Sequence, residues 1–133
     1  MLTDALVLVA EDEAFIALDL ALAIEDAGGE VIGPAASVKE ALALIDGRTV
    51  TAAILDVNLA DQDISPVAEV LLTLGIPVIL QTGIEAPPEL MARFPDLVVH
   101  IKPCVAAKLV AELVTLIAKG SSAVPPNSGP AAS

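Results

Sequence analysis

Aromatic side chains are nearly missing from this chain: Phe15 and Phe94 are the only two, and neither tryptophan nor tyrosine occurs. A core must therefore be packed from Leu, Ile, Val and Ala. Apolar residues make up 56% of the 133 residues, enough to build the core of one domain. Basic residues are scarce as well. Six Lys and Arg stand against 18 Asp and Glu, a net charge of −12, which argues against direct binding to nucleic acid or to an anionic membrane. The acidity serves solubility first, and it also suits attraction of a cation or of a partner with a basic surface. Cysteine is limited to Cys104, so no disulfide can form within the chain, and a cytoplasmic setting is expected. Met1 to Ala10 lacks a basic start before its apolar run and contains Asp4, which makes it a poor signal peptide. No apolar stretch is both long enough and free enough of charge to span a bilayer.

What the chain does have is a set of short, continuously apolar runs. Ala5 to Ala10, Ala52 to Leu55, Pro77 to Leu80 and Leu97 to Val99 are of this kind, and Val31-Ile32-Gly33 is a weaker version. Such runs suit strands covered on both faces, hence a parallel sheet between helix layers. The spacing leaves room for a helix after each strand, the βαβ pattern.

The helices follow from period and punctuation. Asp12 or Glu13 opens the first, with Ile16, Leu20, Ala23, Ile24 and Ala27 on one face and Gly28-Gly29 as its stop. Ser37 caps the second, with Glu40 as the reciprocal partner. Ser65-Pro66 starts the third, and Pro87-Pro88 introduces a short fourth that Pro95 closes. The last is expected from about Cys104 to Lys119, with Val105, Leu109, Leu113 and Ile117 recurring at every fourth residue. This gives five strands alternating with five helices over residues 1–119, one domain. Gly120 to Ser133, rich in Ser, Pro, Gly and Ala, reads as a disordered tail or linker.

Four polar pieces close these runs: Glu11-Asp12, Asp56 with Asn58, Thr82-Gly83, and Lys102-Pro103. In an open α/β sheet, ligands bind beyond the carboxyl ends of the strands. Carboxylates, a hydroxyl and an ammonium gathered there suit a divalent cation and a phosphoryl group. A core explanation accounts for the apolar runs but not for the polar group ending each one. Strand two is the exception, ending in Gly33-Pro34-Ala35-Ala36, and is expected at an edge.

In the order and spacing of LVLVAEDE, AAILDVNL, PVILQTG and HIKP, the chain resembles the receiver domain of two-component response regulators, of the stand-alone chemotaxis type, from Ala5 to about Lys119. The resemblance implies a doubly wound, flavodoxin-like parallel sheet of order 2-1-3-4-5 with helices on both faces. It makes Asp56 the phosphoacceptor, Thr82 the switch hydroxyl and Lys102 the charge partner of Asp56, with a cis Lys102-Pro103 bond. Gly83 would leave room for the phosphoryl group. Asp12, Asp56 and the backbone carbonyl of Asn58 would hold Mg2+, with Mn2+ able to substitute, and Glu11 would act on the metal mainly through water. Glu13 is expected to serve only the helix terminus. The implied partners are a histidine kinase or a histidine phosphotransfer protein, and a downstream protein target. The chain would be a monomer or weak homodimer, with Leu116 or Val110 available for a contact. Its only chemistry would be its own aspartyl phosphorylation and dephosphorylation.

Three departures qualify the resemblance. Val99 stands where many receivers carry a rotating aromatic residue. The loop Asn58 to Asp63 lacks the frequent proline and glycine. Leu80 to Ile84 only partly matches the Phe-Ala-Thr-Gly motif of an atypical subgroup without the aromatic switch. A phosphorylation-independent binding module with the same fold is the competing reading. A metal-dependent phosphatase is disfavoured, because Asn58 occupies the place of a general acid and no cap domain is present. His100, the only histidine, is read as part of strand five rather than as a relay residue. Cys104 is read as a small buried side chain, although a helix start there would lower a thiol pKa.

Overall fold

The computed structural model describes residues 1–123, with side chains through residue 119. Strands β1 (Leu6–Ala10), β2 (Glu30–Ala35), β3 (Ala52–Asp56), β4 (Val78–Thr82) and β5 (Val98–Ile101) alternate with helices α1 (Ala14–Asp26), α2 (Val38–Ile45), α3 (Ser65–Thr73), α4 (Pro88–Arg93) and α5 (Ala106–Ala123). All pairings are parallel and the strand order is β2-β1-β3-β4-β5. The expected edge position of β2 and the doubly wound order are both present.

The pleat sorts alternate residues to opposite faces. On one face Val7, Val9, Ala52, Ile54 and Ile79 pack against Leu20 and Ile24 of α1 and Leu109, Val110 and Leu113 of α5. On the other, Leu8, Ala53, Leu55 and Leu80 meet Val38 and Ala41 of α2, Val67 and Leu71 of α3, and Leu90 of α4. Burial of an aliphatic side chain contributes roughly 1.5–3 kcal/mol, so two such layers replace the missing aromatics.

Local signals set the helix ends. Ser37 Oγ accepts from Glu40 N at 3.0 Å as expected, but the Glu40 carboxylate reaches back to Ala36 N, also at 3.0 Å, rather than to Ser37 N. The first turn of α1 holds no acid, because Glu13 is its N-cap. Gly33, at φ +98°, allows close packing of β2 on β1: a Cβ there would lie 2.9 Å from Val9 O. No side chain but hydrogen would fit.

The last helix departs from expectation at both ends. It begins at Ala106, not Cys104, because Lys102 to Val105 are taken up by the turn out of β5. Val105 is 60% exposed and outside the core, whereas Val110 is buried in the core layer that α5 shares with α1 and is not free for an outside contact. The helix also continues past Lys119 to Ala123. The expectation of disorder for residues 124–133 lies outside the described residues.

Candidate functional site

The strand register aligns the site. β3 pairs with β4 through Asp56 and Gln81, and β4 pairs with β5 through Gln81 and His100. Ala10 pairs with Leu55 one step earlier, so Glu11 continues β1 beside Asp56. With a period of two, Glu11 follows Val7 and Val9, and Gln81 follows Ile79, onto the face covered by α1 and α5. The sheet thus ends in a polar row where its own periodicity would have put another apolar one.

Glu11 and Asp56 are only 2% and 5% exposed. Burying charge without partners is costly, and the partners are present. Lys102 Nζ, carried past the end of β5, lies 3.0 Å from Asp56 Oδ2, 3.0 Å from Glu11 Oε1 and 3.4 Å from Glu13 Oε2. Glu13 therefore reaches the site instead of serving only the helix terminus. Asn58 N donates to Asp56 Oδ1 at 3.2 Å, and Glu13 N donates to Glu11 Oε2 at 3.1 Å. The Lys102-Pro103 bond is cis, as the resemblance implied; so is Gly33-Pro34.

One ammonium cannot neutralise this many carboxylates. Glu11, Asp12 and Asp56 each offer an oxygen, and the three lie within 4.8 Å of one another, with Asp12 exposed at the open side. Such a set is able to hold a hard, oxygen-seeking cation. Its electrostatics carry the same message. Burial, with the neighbouring Asp56 carboxylate adding to it, pushes Glu11 up to about 7 against the opposing bonds from Glu13 N and Lys102. Burial pulls Lys102 down, but its bonds to Asp56 and Glu11 outweigh this and hold the ammonium above its ordinary value.

Thr82 closes β4 on the opposite side of the pleat from Gln81 and is fully buried. Its Oγ1 accepts from Ile84 N at 3.3 Å, and its carbonyl accepts from Lys102 N at 2.8 Å, which ties the β4 and β5 ends together. Beside it Gly83 faces open space, with no atom within 4 Å of where a Cβ would stand. The structure thus gathers Glu11, Asp12, Asp56, Asn58 and Lys102, while the Thr82 hydroxyl is engaged with its own loop.

The loop after β3 takes its shape from acids rather than from proline and glycine. Asp61 accepts from Val38 N at 2.8 Å and Lys39 N at 3.1 Å, capping α2 from across the fold. Those bonds, that of Val38 N first, hold its carboxyl below the ordinary range. Asp63 Oδ1 accepts from Ser65 N at 2.8 Å at the start of α3. His100 bonds Glu112 of α5 through Nε2, consistent with a place in β5 rather than in a relay. Cys104 precedes α5, half-buried, with Sγ 3.2 Å from Ile101 O. Burial pushes its thiol up, which fits the reading of a packed rather than an activated side chain, since α5 begins only at Ala106.

Gln81 was missed as a site residue. It is 2% exposed and its Nε2 donates to Glu11 Oε1 at 3.1 Å. The sequence carried a signal for it: an amide two residues beyond Ile79, at the end of an apolar strand.

No protein-family model and no curated protein matches the chain. Solved structures do. SdrG from Sphingomonas melonis is 32% identical, with 86% of this chain and 96% of that chain covered and a TM-score of 0.71. A response regulator receiver protein from Sinorhizobium medicae is 25% identical, covering 87% and 96%, with a TM-score of 0.76. The chain belongs to the receiver-domain family of response regulators. A chemotaxis response regulator of Vibrio cholerae, 25% identical over 86% of this chain and 99% of its own, has a TM-score of 0.69. Among the described residues no helix of this receiver domain is long and apolar enough to cross a membrane.

Proposed function

We propose that this receiver domain is a phosphoaspartate switch, with Asp56 as acceptor. The single observation that carries the reading is the buried Asp56 carboxylate held between an ammonium and two further acids. A carboxylate oxygen attacks the phosphorus of a phosphohistidine presented by a histidine kinase or a phosphotransfer protein. The P–N bond breaks, its electron pair stays on the imidazole, and a mixed anhydride forms on Asp56. In the reset, water attacks the phosphorus, the P–O bond to Asp56 breaks, and inorganic phosphate leaves. The chain thus catalyses its own phosphorylation and dephosphorylation.

Two anions resist this approach, so the site needs positive charge. Lys102 supplies one such charge, 3.0 Å from Asp56. Asp12, Asp56 and the Asn58 carbonyl would hold Mg2+, with Mn2+ able to substitute, and Glu11 would act through water. The bound ion would supply charge that draws in phosphoryl oxygens and aligns them. Two features support this assignment: the three carboxylates converge, and both Glu11 oxygens are already taken by donors from Gln81, Glu13 and Lys102. Thr82 would leave Ile84 N to bond the phosphoryl group, with Gly83 giving it room. The output is a population shift at the β4 and β5 ends, read by a downstream protein in the cytoplasm. Residues 1–119 are proposed as the receiver, with α5 running on to Ala123 and the rest of 120–133 as tail or linker.

The test is intact mass after exposure to acetyl phosphate. One phosphoryl adduct is expected, dependent on Mg2+ and lost in Asp56→Asn. An unchanged mass at saturating Mg2+ would leave a receiver fold that binds partners without phosphorylation.

A further inference from the structure

Gln81 is the one buried polar side chain of the sheet rim to which the phosphoryl-transfer reading assigns no role. A buried primary amide needs partners, and its neighbour here is an acid with fixed demands. Both Glu11 oxygens face donors, Oε2 the Glu13 N and Oε1 the Lys102 ammonium, and so act as acceptors; the amide turns its nitrogen toward Glu11 Oε1, at 3.1 Å. The register explains why these two meet: Gln81 is the strand partner of Asp56, and Glu11 continues β1 on the other side of Asp56.

The consequence lies in how the Glu11 oxygens are shared. Oε1 accepts from Gln81 Nε2 at 3.1 Å and faces Lys102 Nζ at 3.0 Å. Oε2 accepts from Glu13 N at 3.1 Å and lies 3.3 Å from the same ammonium. Glu13 N fixes one oxygen from the backbone, and the Gln81 side chain fixes the other from β4. Together they set the rotation of a carboxylate that neighbours both Asp12 and Asp56. Outer partners of this kind orient the groups around a metal and typically control affinity 10–100-fold.

We infer that Gln81 is a positioning residue for the cation site, holding the Glu11 carboxylate in the orientation from which it supports Mg2+ beside Asp12 and Asp56. The inference rests on the reading of these carboxylates as a cation site. It does not require that Asp56 be phosphorylated. Gln81→Met keeps the length and bulk of the side chain and removes the donor.

The test is calorimetric titration with Mg2+ alone, on the full chain, in a double-mutant cycle with Glu11→Gln. Gln81→Met is expected to weaken Mg2+ binding about tenfold in the native background, and by less than about twofold once Glu11 is Gln. A melting curve without Mg2+ checks that each variant is folded. Should Gln81→Met unfold, Gln81→Leu takes its place in the same cycle. Three results would overturn the inference: unchanged Mg2+ affinity in the single variant, an equal loss in both backgrounds, or no Mg2+ binding by the native chain. A native chain that binds Mg2+ with the expected coupling but forms no phosphoryl adduct would refute the switch reading and leave the role of Gln81 standing.

Discussion

Strands β3 and β5 both lead into a charged group of the site, yet they are built in opposite ways. β3 is central and buried at every residue from Ala52 to Asp56, and its terminal carboxylate is gripped from both sides. β5 is an edge strand, partly buried from Val98 to His100 and ending in an Ile101 that is 58% exposed. Asp56 therefore sits on the least movable part of the molecule, while Lys102 arrives from a part with few packing interactions to lose. A central strand fixes the place where charge changes; a lightly packed edge is the cheaper element to shift when it does. Ile84 and Val105, 78% and 60% exposed, extend the same loosely packed side.

That contrast can be broken by experiment. The largest effect belongs to the carboxylate rim beside β3. Asp12→Ala should weaken Mg2+ by more than the ~100-fold that an outer partner can cost, measured by titration calorimetry, whereas Ile101→Ser should leave the affinity within about twofold. Comparable losses in both would erase the distinction.

Next in size is packing. Leu55→Ala, at a fully buried position of β3, should cost about 2–5 kcal/mol in denaturant unfolding. Ile101→Ala should cost less than ~0.5 kcal/mol.

A smaller effect concerns pH. Glu11 titrates near 7 in the folded, metal-free chain, above its ordinary 4.5. Between those values the folded state binds more protons than the unfolded one. The contribution is complete below about 4.5 and is lost as pH rises through about 7. Allowing for solvent screening, metal-free stability should fall by about 2 kcal/mol over this window, and the fall should shrink in Glu11→Gln. Lys102 stays charged throughout and adds no slope. Mg2+ binding should move the other way, tightening as Glu11 ionises. A flat stability profile between pH 5 and 8 would show that the rim is less enclosed than its geometry indicates.

The smallest effect is away from both strands. Ser37→Ala removes the acceptor for Glu40 N at the start of α2 and should cost about 1 kcal/mol, with no change in Mg2+ affinity.

How much of this was legible in the sequence depended on whether the cause was local. Apolar runs, stop glycines and Ser37 are local, and they led to the right strands and helices; the sheet order came only with the family resemblance, because strand neighbours are set by pairings distant in the chain. The acids and the lysine at the strand ends were legible because polar groups have no other reason to close buried runs. What escaped depended on partners distant in the chain. Gln81 was read only as a departure from a motif, since its meaning comes from Glu11, 70 residues away. Asp61 was read only as part of a loop lacking the frequent proline and glycine, although it caps a helix that starts 23 residues earlier. Glu13 looked like a helix-terminal acid until the turn after β5 brought Lys102 to it. Val105 fitted the apolar period of α5 but precedes the helix, because the turn after β5 consumes residues that the period counted as helical.

The central claim is that Asp56, and no other carboxylate of this crowded rim, takes the phosphoryl group. Reduction with borohydride after treatment with acetyl phosphate and Mg2+ converts an aspartyl phosphate to homoserine, and peptide mass mapping then locates it. The account predicts homoserine at position 56 alone. Homoserine elsewhere, the 5-hydroxynorvaline that a reduced glutamyl phosphate at Glu11 or Glu13 would leave, or no reduced residue in a chain shown to bind Mg2+, would contradict it.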